Sequence, residues 1–217
     1  MHSESAYVLH HRWLNERTLI VCLFGENTGR FDCACPKKKA PQLGARYTIQ
    51  WHEHPSGLHK MRHAELQGPI YHFRQNDLVT QLYLHELMCA LLPLHVDHSH
   101  IFKQYTKTLA ALSQKENHSI LIRYFEQTLL CELGHGLDAS YLPPQTDGWI
   151  SYHIDQGFTW SDSYQEGWFS LSSIRRLLTH TMAKDDLVTA KIFLSQTISQ
   201  LAPNKKWYSK NMYIANK

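Results

Sequence analysis

Near residue 75 the hydrophobic rhythm of the chain changes. Before that point apolar side chains alternate with polar ones or form short unbroken runs; after it they recur every three to four residues. A period of two belongs to strands and one of 3.6 to helices, so a β-rich front is followed by a helical remainder.

In the front part, Tyr7 to His11 and Thr18 to Phe24 read as strands. The second run is apolar on both faces, as in the wall of a closed barrel. The turn signal GENTG, Gly25 to Gly29, leads into a third strand, Arg30 to Cys35, in which Phe31, Cys33 and Cys35 alternate with more polar neighbours. Tyr47, Ile49 and Trp51 alternate with Arg46, Thr48, Gln50 and His52, which places Trp51 in the core. HPSG, His54 to Gly57, turns the chain into a last strand, Leu58 to Glu65. Five short strands in about 65 residues predict a small barrel, and the oligonucleotide-binding fold is the common solution of that size.

The helical part begins near Asp77. Leu84, Leu87, Met88 and Leu91 fall on one stripe of a first helix that Pro93 ends. A second helix is expected over His98 to Ser113 and a third over Ser119 to Leu133, buried along Ile122, Phe125, Leu129 and Leu133 and stopped by Gly134 and Gly136. Asp138 to Trp168 breaks the pattern and reads as an irregular subdomain with one hairpin, Trp149 to Trp160. Helices over Leu171 to Met182 and Asp185 to Leu201 complete the chain. The fold class is therefore α+β: a five-stranded barrel over residues 1–75 and a helical domain over 76–217, with an irregular insertion at 138–168 and a basic tail at 203–217.

Charge is unevenly spread. The formal net charge is +3, but residues 1–75 carry an excess of positive charge, residues 76–202 an excess of negative charge, and the tail has Lys205, Lys206, Lys210 and Lys217 with no acid. That division points to a polyanion touching the two basic segments, although on charge alone ordinary solvated surface is the better reading. The five cysteines, Cys22, Cys33, Cys35, Cys89 and Cys131, are odd in number and sit in apolar surroundings, which favours reduced thiols. With no secretory leader at the start and no apolar run of about 20 residues, a cytoplasmic, nucleoid-associated protein is expected.

The stretch from Ala6 to Lys39 resembles the opening of the RecO family: Glu16 in a loop, an apolar strand Leu19 to Phe24, Gly29 with Arg30, then the basic cluster Lys37 to Lys39. The similarity continues through QLYLHELMCALLP, Gln81 to Pro93, and IRYFEQTLLCELGHGLD, Ile122 to Asp138, and weakly in KKWYSKNMY, Lys205 to Tyr213. Many members of that family carry four zinc-binding cysteines after the Gly-x-Gly turn. Asp138 to Trp168 contains none, so no metal and no other cofactor is expected. Cys35 and Pro36 also stand where the family has a basic residue and Gly. The resemblance implies a DNA repair and recombination mediator that binds single-stranded and, by extension, double-stranded DNA, anneals complementary strands and helps load recombinase onto strands covered by single-strand-binding protein. It implies two protein partners, RecR and the acidic C-terminal tail of single-strand-binding protein.

Unpaired strands are held without sequence preference by cations that meet phosphates and aromatic faces that meet bases. Arg12, Trp13 and Arg17 in and beside the first loop, Arg30, and Lys37, Lys38 and Lys39 supply both ingredients, and Lys205, Lys206 and Lys210 extend them. A core position for Trp13 is an equal alternative. For an acidic tail, Arg123 beside Tyr124 offers a cation next to an aromatic, although Phe125 and Leu129 lie on the core stripe. No Gly-x-x-x-x-Gly-Lys-Ser/Thr loop, Gly-x-Ser-x-Gly elbow or reactive-cysteine motif occurs, His85-Glu86 is followed by Cys89 where a metalloprotease needs His, and the histidine clusters lack ligand spacing. A non-enzyme is expected. A protein-interaction adaptor with little DNA affinity is the alternative, and a metal-dependent nuclease a distant third.

Overall fold

The computed structural model describes residues 1–209 of the chain. Packing divides it into two compact units, one comprising Met1–Ser113 together with the segment from Trp207, the other Gln114–Lys206.

The first unit holds strands β1 (His2–Asn15), β2 (Thr18–Gly25), β3 (Gly29–Pro36), β4 (Arg46–His52) and β5 (Leu58–Leu66), and helices α1 (Gln75–Leu91) and α2 (Ser99–Ser113). The strands close in the order β1-β2-β3-β5-β4, with β4 returning to β1. All pairings are antiparallel except that of β3 with β5. This is the five-stranded Greek-key barrel of the oligonucleotide-binding fold. Alternate side chains fill its interior: Val8, Val21, Leu23, Phe31, Cys33, Cys35, Ile49, Trp51 and Met61 are buried together, Phe31 and Trp51 with ring centroids 4.7 Å apart.

The double-sided burial of β2 has two causes. Val21 and Leu23 point into the barrel. On the opposite face Cys22 Sγ lies 3.8 Å from Cys89 Sγ of α1, and Phe24 packs at 5.8 Å against Phe102 of α2. Helices α1 and α2 thus cover one side of the barrel, and a buried His85 imidazole meets the Tyr105 hydroxyl at 2.6 Å beneath them. Desolvation pushes His85 down to about 3, so the ring is neutral at ordinary pH. The packing boundary therefore falls after α2, at Gln114, whereas periodicity alone had suggested 76.

Near the end of the described chain, the backbone N–H groups of Tyr208 and Ser209 each donate to the Glu86 carboxylate of α1 at 3.0 Å, and Trp207 packs 6.0 Å from Tyr83. The Ser209 hydroxyl donates to the same carboxylate.

The second unit contains α3 (His118–Glu132), a three-stranded sheet of β6 (Trp149–His153), β7 (Gly157–Ser161) and β8 (Phe169–Ser170), and helices α4 (Leu171–Leu178) and α5 (Asp186–Leu201). The expected hairpin is present as β6 and β7; the two-residue β8 is too short to leave a pattern in the sequence. Phe193 of α5 joins the sheet to the helices through Tyr152, Phe158 and Phe169. Helix α4 ends at Leu178, four residues before the expected Met182. His180 adopts φ 56°, with His180 N–H bonded to Leu177 O and Thr181 N–H to Arg176 O. That is a Schellman cap built on a histidine rather than a glycine, and it leaves no stop signal to read.

Asp186, 2% exposed, accepts two hydrogen bonds from the Arg176 guanidinium at 2.8 and 2.6 Å and one from Ala183 N–H at 2.9 Å. The Arg176 hydrogen bonds hold its carboxyl down at about 2, against burial, which pushes the other way. A carboxyl depressed in the folded state contributes stability above its unfolded value near 4, and that contribution fades as pH falls towards 2. The size is on the order of 1–2 kcal/mol after discounting for the half-exposed guanidinium. Asp186→Asn should therefore be less stable at pH 7 and show a flatter acid limb between pH 4 and 2 in urea unfolding; an unchanged limb would remove the assignment.

Candidate nucleic-acid interface

Strand β1 is longer than its alternation suggests. His2 to Tyr7 pair with β4, and Ala6 to Asn15 pair with β2, so the last residues overhang β4 and their backbone ladder is with β2. Arg12 and Trp13 sit on this overhang. Trp13 is 60% exposed, which places it outside the core, and the Lys37 ammonium lies over its ring at 4.7 Å from the centroid. A cation over an exposed indole contributes about 0.5–1 kcal/mol, enough to orient the pair.

The first loop and the lysine cluster meet because β2 pairs with both neighbours at the same end. Thr18 lies opposite Asn15 on one side and Pro36 on the other, and Lys37 N–H donates to Arg17 O at 2.9 Å. Lys37 to Lys39 form a single 3-10 turn with no buried residue. Arg12, Trp13, Arg17, Lys37, Lys38 and Lys39 therefore form one exposed rim. Arg12 is partly neutralised by Asp32 at 2.6 Å, an exposed pair worth at most about 1 kcal/mol and open to exchange with a phosphate.

Arg30 does not join this rim. It stands at the opposite end of β3, where its Nε donates to Leu92 O at 2.9 Å and its own carbonyl accepts His95 N–H at 2.8 Å. There it fastens the segment between α1 and α2. Lys205 and Lys206 are exposed and belong to the second unit, and Lys210 lies outside the described residues.

In the second unit Arg123 pairs with Glu126 at 2.8 Å, their side chains 11% and 1% exposed. The Tyr124 hydroxyl accepts Met182 N–H at 3.1 Å, and its ring stacks on His180 at 4.3 Å. Both residues are thus engaged within their own unit.

Lys60 and Arg62 were missed by the sequence reading. They alternate with buried His59 and Met61 on β5 and point outward. The signal in the sequence is a period-two pattern of cations on the last strand, away from the lysine cluster. Their field is felt at exposed His52, whose imidazole is held below its ordinary value first by desolvation and then by Arg62. The buried thiols offer no rival chemistry: desolvation pushes Cys33 up to about 12 and raises Cys35. Among the described residues no group of three or more His, Cys, Asp or Glu is placed to hold a metal ion, and no helix is long and apolar enough to cross a membrane.

Barrel, cationic rim and appended helices define an oligonucleotide-binding-fold protein with a helical second unit. Comparison with known proteins narrows the class. The family described as "Recombination protein O C terminal" matches residues 77–141. DNA repair protein RecO of Dechloromonas aromatica is 33% identical over 172 residues, covering 71% of this chain and 70% of the relative. Those of Tolumonas auensis and Pasteurella multocida are 28% and 26% identical and cover 97% and 99% of the chain. The chain belongs to the RecO family.

Proposed function

We propose that this chain acts in DNA repair and recombination as a non-enzymatic mediator. It binds single-stranded DNA along the rim of the barrel, anneals complementary strands and helps recombinase load where single-strand-binding protein covers the strand. The observation that carries this reading is Trp13, exposed on the β1 overhang with Lys37 over its ring and Arg17, Lys38 and Lys39 around it. A base stacks on the indole while neighbouring phosphates meet the cations. Annealing needs charge neutralisation and close approach of two strands, which such a rim supplies without a cofactor.

The barrel region, residues 1–75, is the DNA-binding part in this proposal and residues 76–217 the partner-docking part. The relatives' name supports a repair role. RecR and the acidic tail of single-strand-binding protein remain partners by resemblance, and docking of that tail at Arg123 and Tyr124 requires the Arg123–Glu126 pair to open.

Fluorescence titration of a labelled oligonucleotide at several salt concentrations tests the DNA reading. The native chain should bind with a steep salt dependence, and Trp13→Ala should lose about 1–3 kcal/mol, five- to over a hundredfold, with the salt slope retained. Absent or salt-insensitive binding, alongside saturable binding of an acidic tail peptide, would instead favour the adaptor reading.

A further inference from the structure

Strands β3 and β5 pair over only three residues, Asp32 to Ala34 against Leu58 to Lys60, and the ladder then stops. Beyond it β3 continues to Pro36 and the lysine turn while β5 remains paired with β4, so the two strands part. A cleft of about 490 Å³ opens between them. Its wall is formed by Thr18, Pro36 and Lys39 on one side and Lys60 and Arg62 on the other; Leu58, Met61 and Cys35 line its apolar surface, and His54 and Ser56 of the β4–β5 turn close one end. No carboxylate lines it. Neither Lys39, Lys60 nor Arg62 has an ion-pair partner among the described residues.

Three cations without an ion-pair partner around one concave surface attract an anion to it. A purely phosphate site would have no use for the apolar lining. The volume lies within the range of about 300–1,000 Å³ typical of small-ligand sites, and the lining of cations and hydroxyls over apolar side chains suits a group charged at one end and planar and apolar at the other. The geometry points to a nucleotide subsite: one nucleotide of the bound strand leaves the rim at the Lys37 to Lys39 turn and enters this cleft. Its phosphate meets Lys39, Lys60 and Arg62, and its base lies against Leu58, Met61 and Pro36. The cleft shares Lys39 with the rim, and its Thr18 and Pro36 adjoin Arg17 and Lys37, so the strand passes between them without a break in positive charge. This rests on the DNA reading of the rim and extends the footprint around the barrel from β1 to β5.

The test uses the full chain and the exposed double variant Lys60→Ala/Arg62→Ala, whose melting should match the native chain because neither side chain is buried. Labelled oligothymidylate is titrated at several salt concentrations, and thymidine monophosphate is added as a competitor. The variant should lose about 0.7 from the slope of log affinity against log salt, the share of the one single-strand phosphate contact in the cleft, while Trp13→Ala keeps the native slope. Thymidine monophosphate should compete with the oligonucleotide on the native chain and not on the variant. An unchanged slope in the variant, with oligonucleotide binding otherwise normal, overturns the cleft and leaves the rim. Thymidine monophosphate that saturates the native chain without displacing the oligonucleotide assigns the cleft to a free nucleotide and overturns the strand path. A native chain that binds no oligonucleotide overturns the rim itself.

Discussion

Exchanging Lys37, Lys38 and Lys39 together for Glu should all but remove single-strand binding. The three lysines form a turn with no buried residue, so the exchange leaves the barrel core untouched and the melting transition close to native. The same turn stands against the first loop through the Lys37 to Arg17 hydrogen bond and places an ammonium over Trp13. Loss of three phosphate contacts lowers the salt slope by about 2, and reversal adds repulsion on top of that loss. The expected fall in affinity is on the order of 100-fold or more near 0.1 M salt, where the Debye length of about 10 Å still joins the three charges into one field. Retention of native affinity and slope would place the DNA elsewhere on the protein and sink the rim reading.

The second large effect concerns stability. Gly29 opens β3 with φ 70°, and a Cβ there would stand 1.7 Å from the backbone oxygen of Val96. Backbone cannot rotate aside as a side chain does, so the segment carrying Leu94, His95 and Val96 would have to lift. That breaks the His95 to Arg30 hydrogen bond and disturbs the Arg30 contact with Leu92 O. Gly57 supplies the control: its φ is 76°, and nothing lies within 4 Å of an added Cβ. Gly57→Ala should cost about 1 kcal/mol for the left-handed backbone alone, whereas Gly29→Ala should cost about 3 kcal/mol or more. In melting temperature that is a drop on the order of 10 °C for the first unit against a few degrees. Equal effects at the two glycines would show that the Val96 segment gives way freely.

Most of the fold was legible because two periods differ and turns have their own chemistry. The alternation of Phe31, Cys33 and Cys35, the paired apolar faces of β2 and the HPSG turn located β2 to β5 to within a residue or so, and the stripes of α3 and α5 located those helices as well. The overhang of β1 escaped because residues 10–15 are largely exposed and their apolar and polar side chains follow no alternation; pairing with β2 makes them a strand. The early end of α4 escaped because a histidine does the work of a glycine. The cladding of the barrel by α1 and α2 escaped for a different reason: α1 is buried on several sides, at Val79, Gln81, Tyr83, His85 and Met88, and a helix buried that broadly has no single stripe to betray its partner.

The candidate site was legible in residue type and only partly in place. Clustered lysines and an aromatic in the first loop are local features that sequence shows. Arg30 and the lysines stand at the two ends of β3, about 20 Å apart over eight residues, and cationic character alone does not say which end meets a strand. Lys60 and Arg62 were overlooked because they reach the rim only through the parallel contact of β3 with β5, a pairing no short-range pattern encodes.

The clasp of Tyr208 and Ser209 on Glu86 bears on the order in which a ribosome can complete this protein. The carboxylate emerges more than a hundred residues before the amides that bind it. At bacterial rates of about 5–20 residues per second the barrel therefore spends on the order of ten seconds with that face of α1 bare, and its final closure waits until the intervening unit has been synthesised.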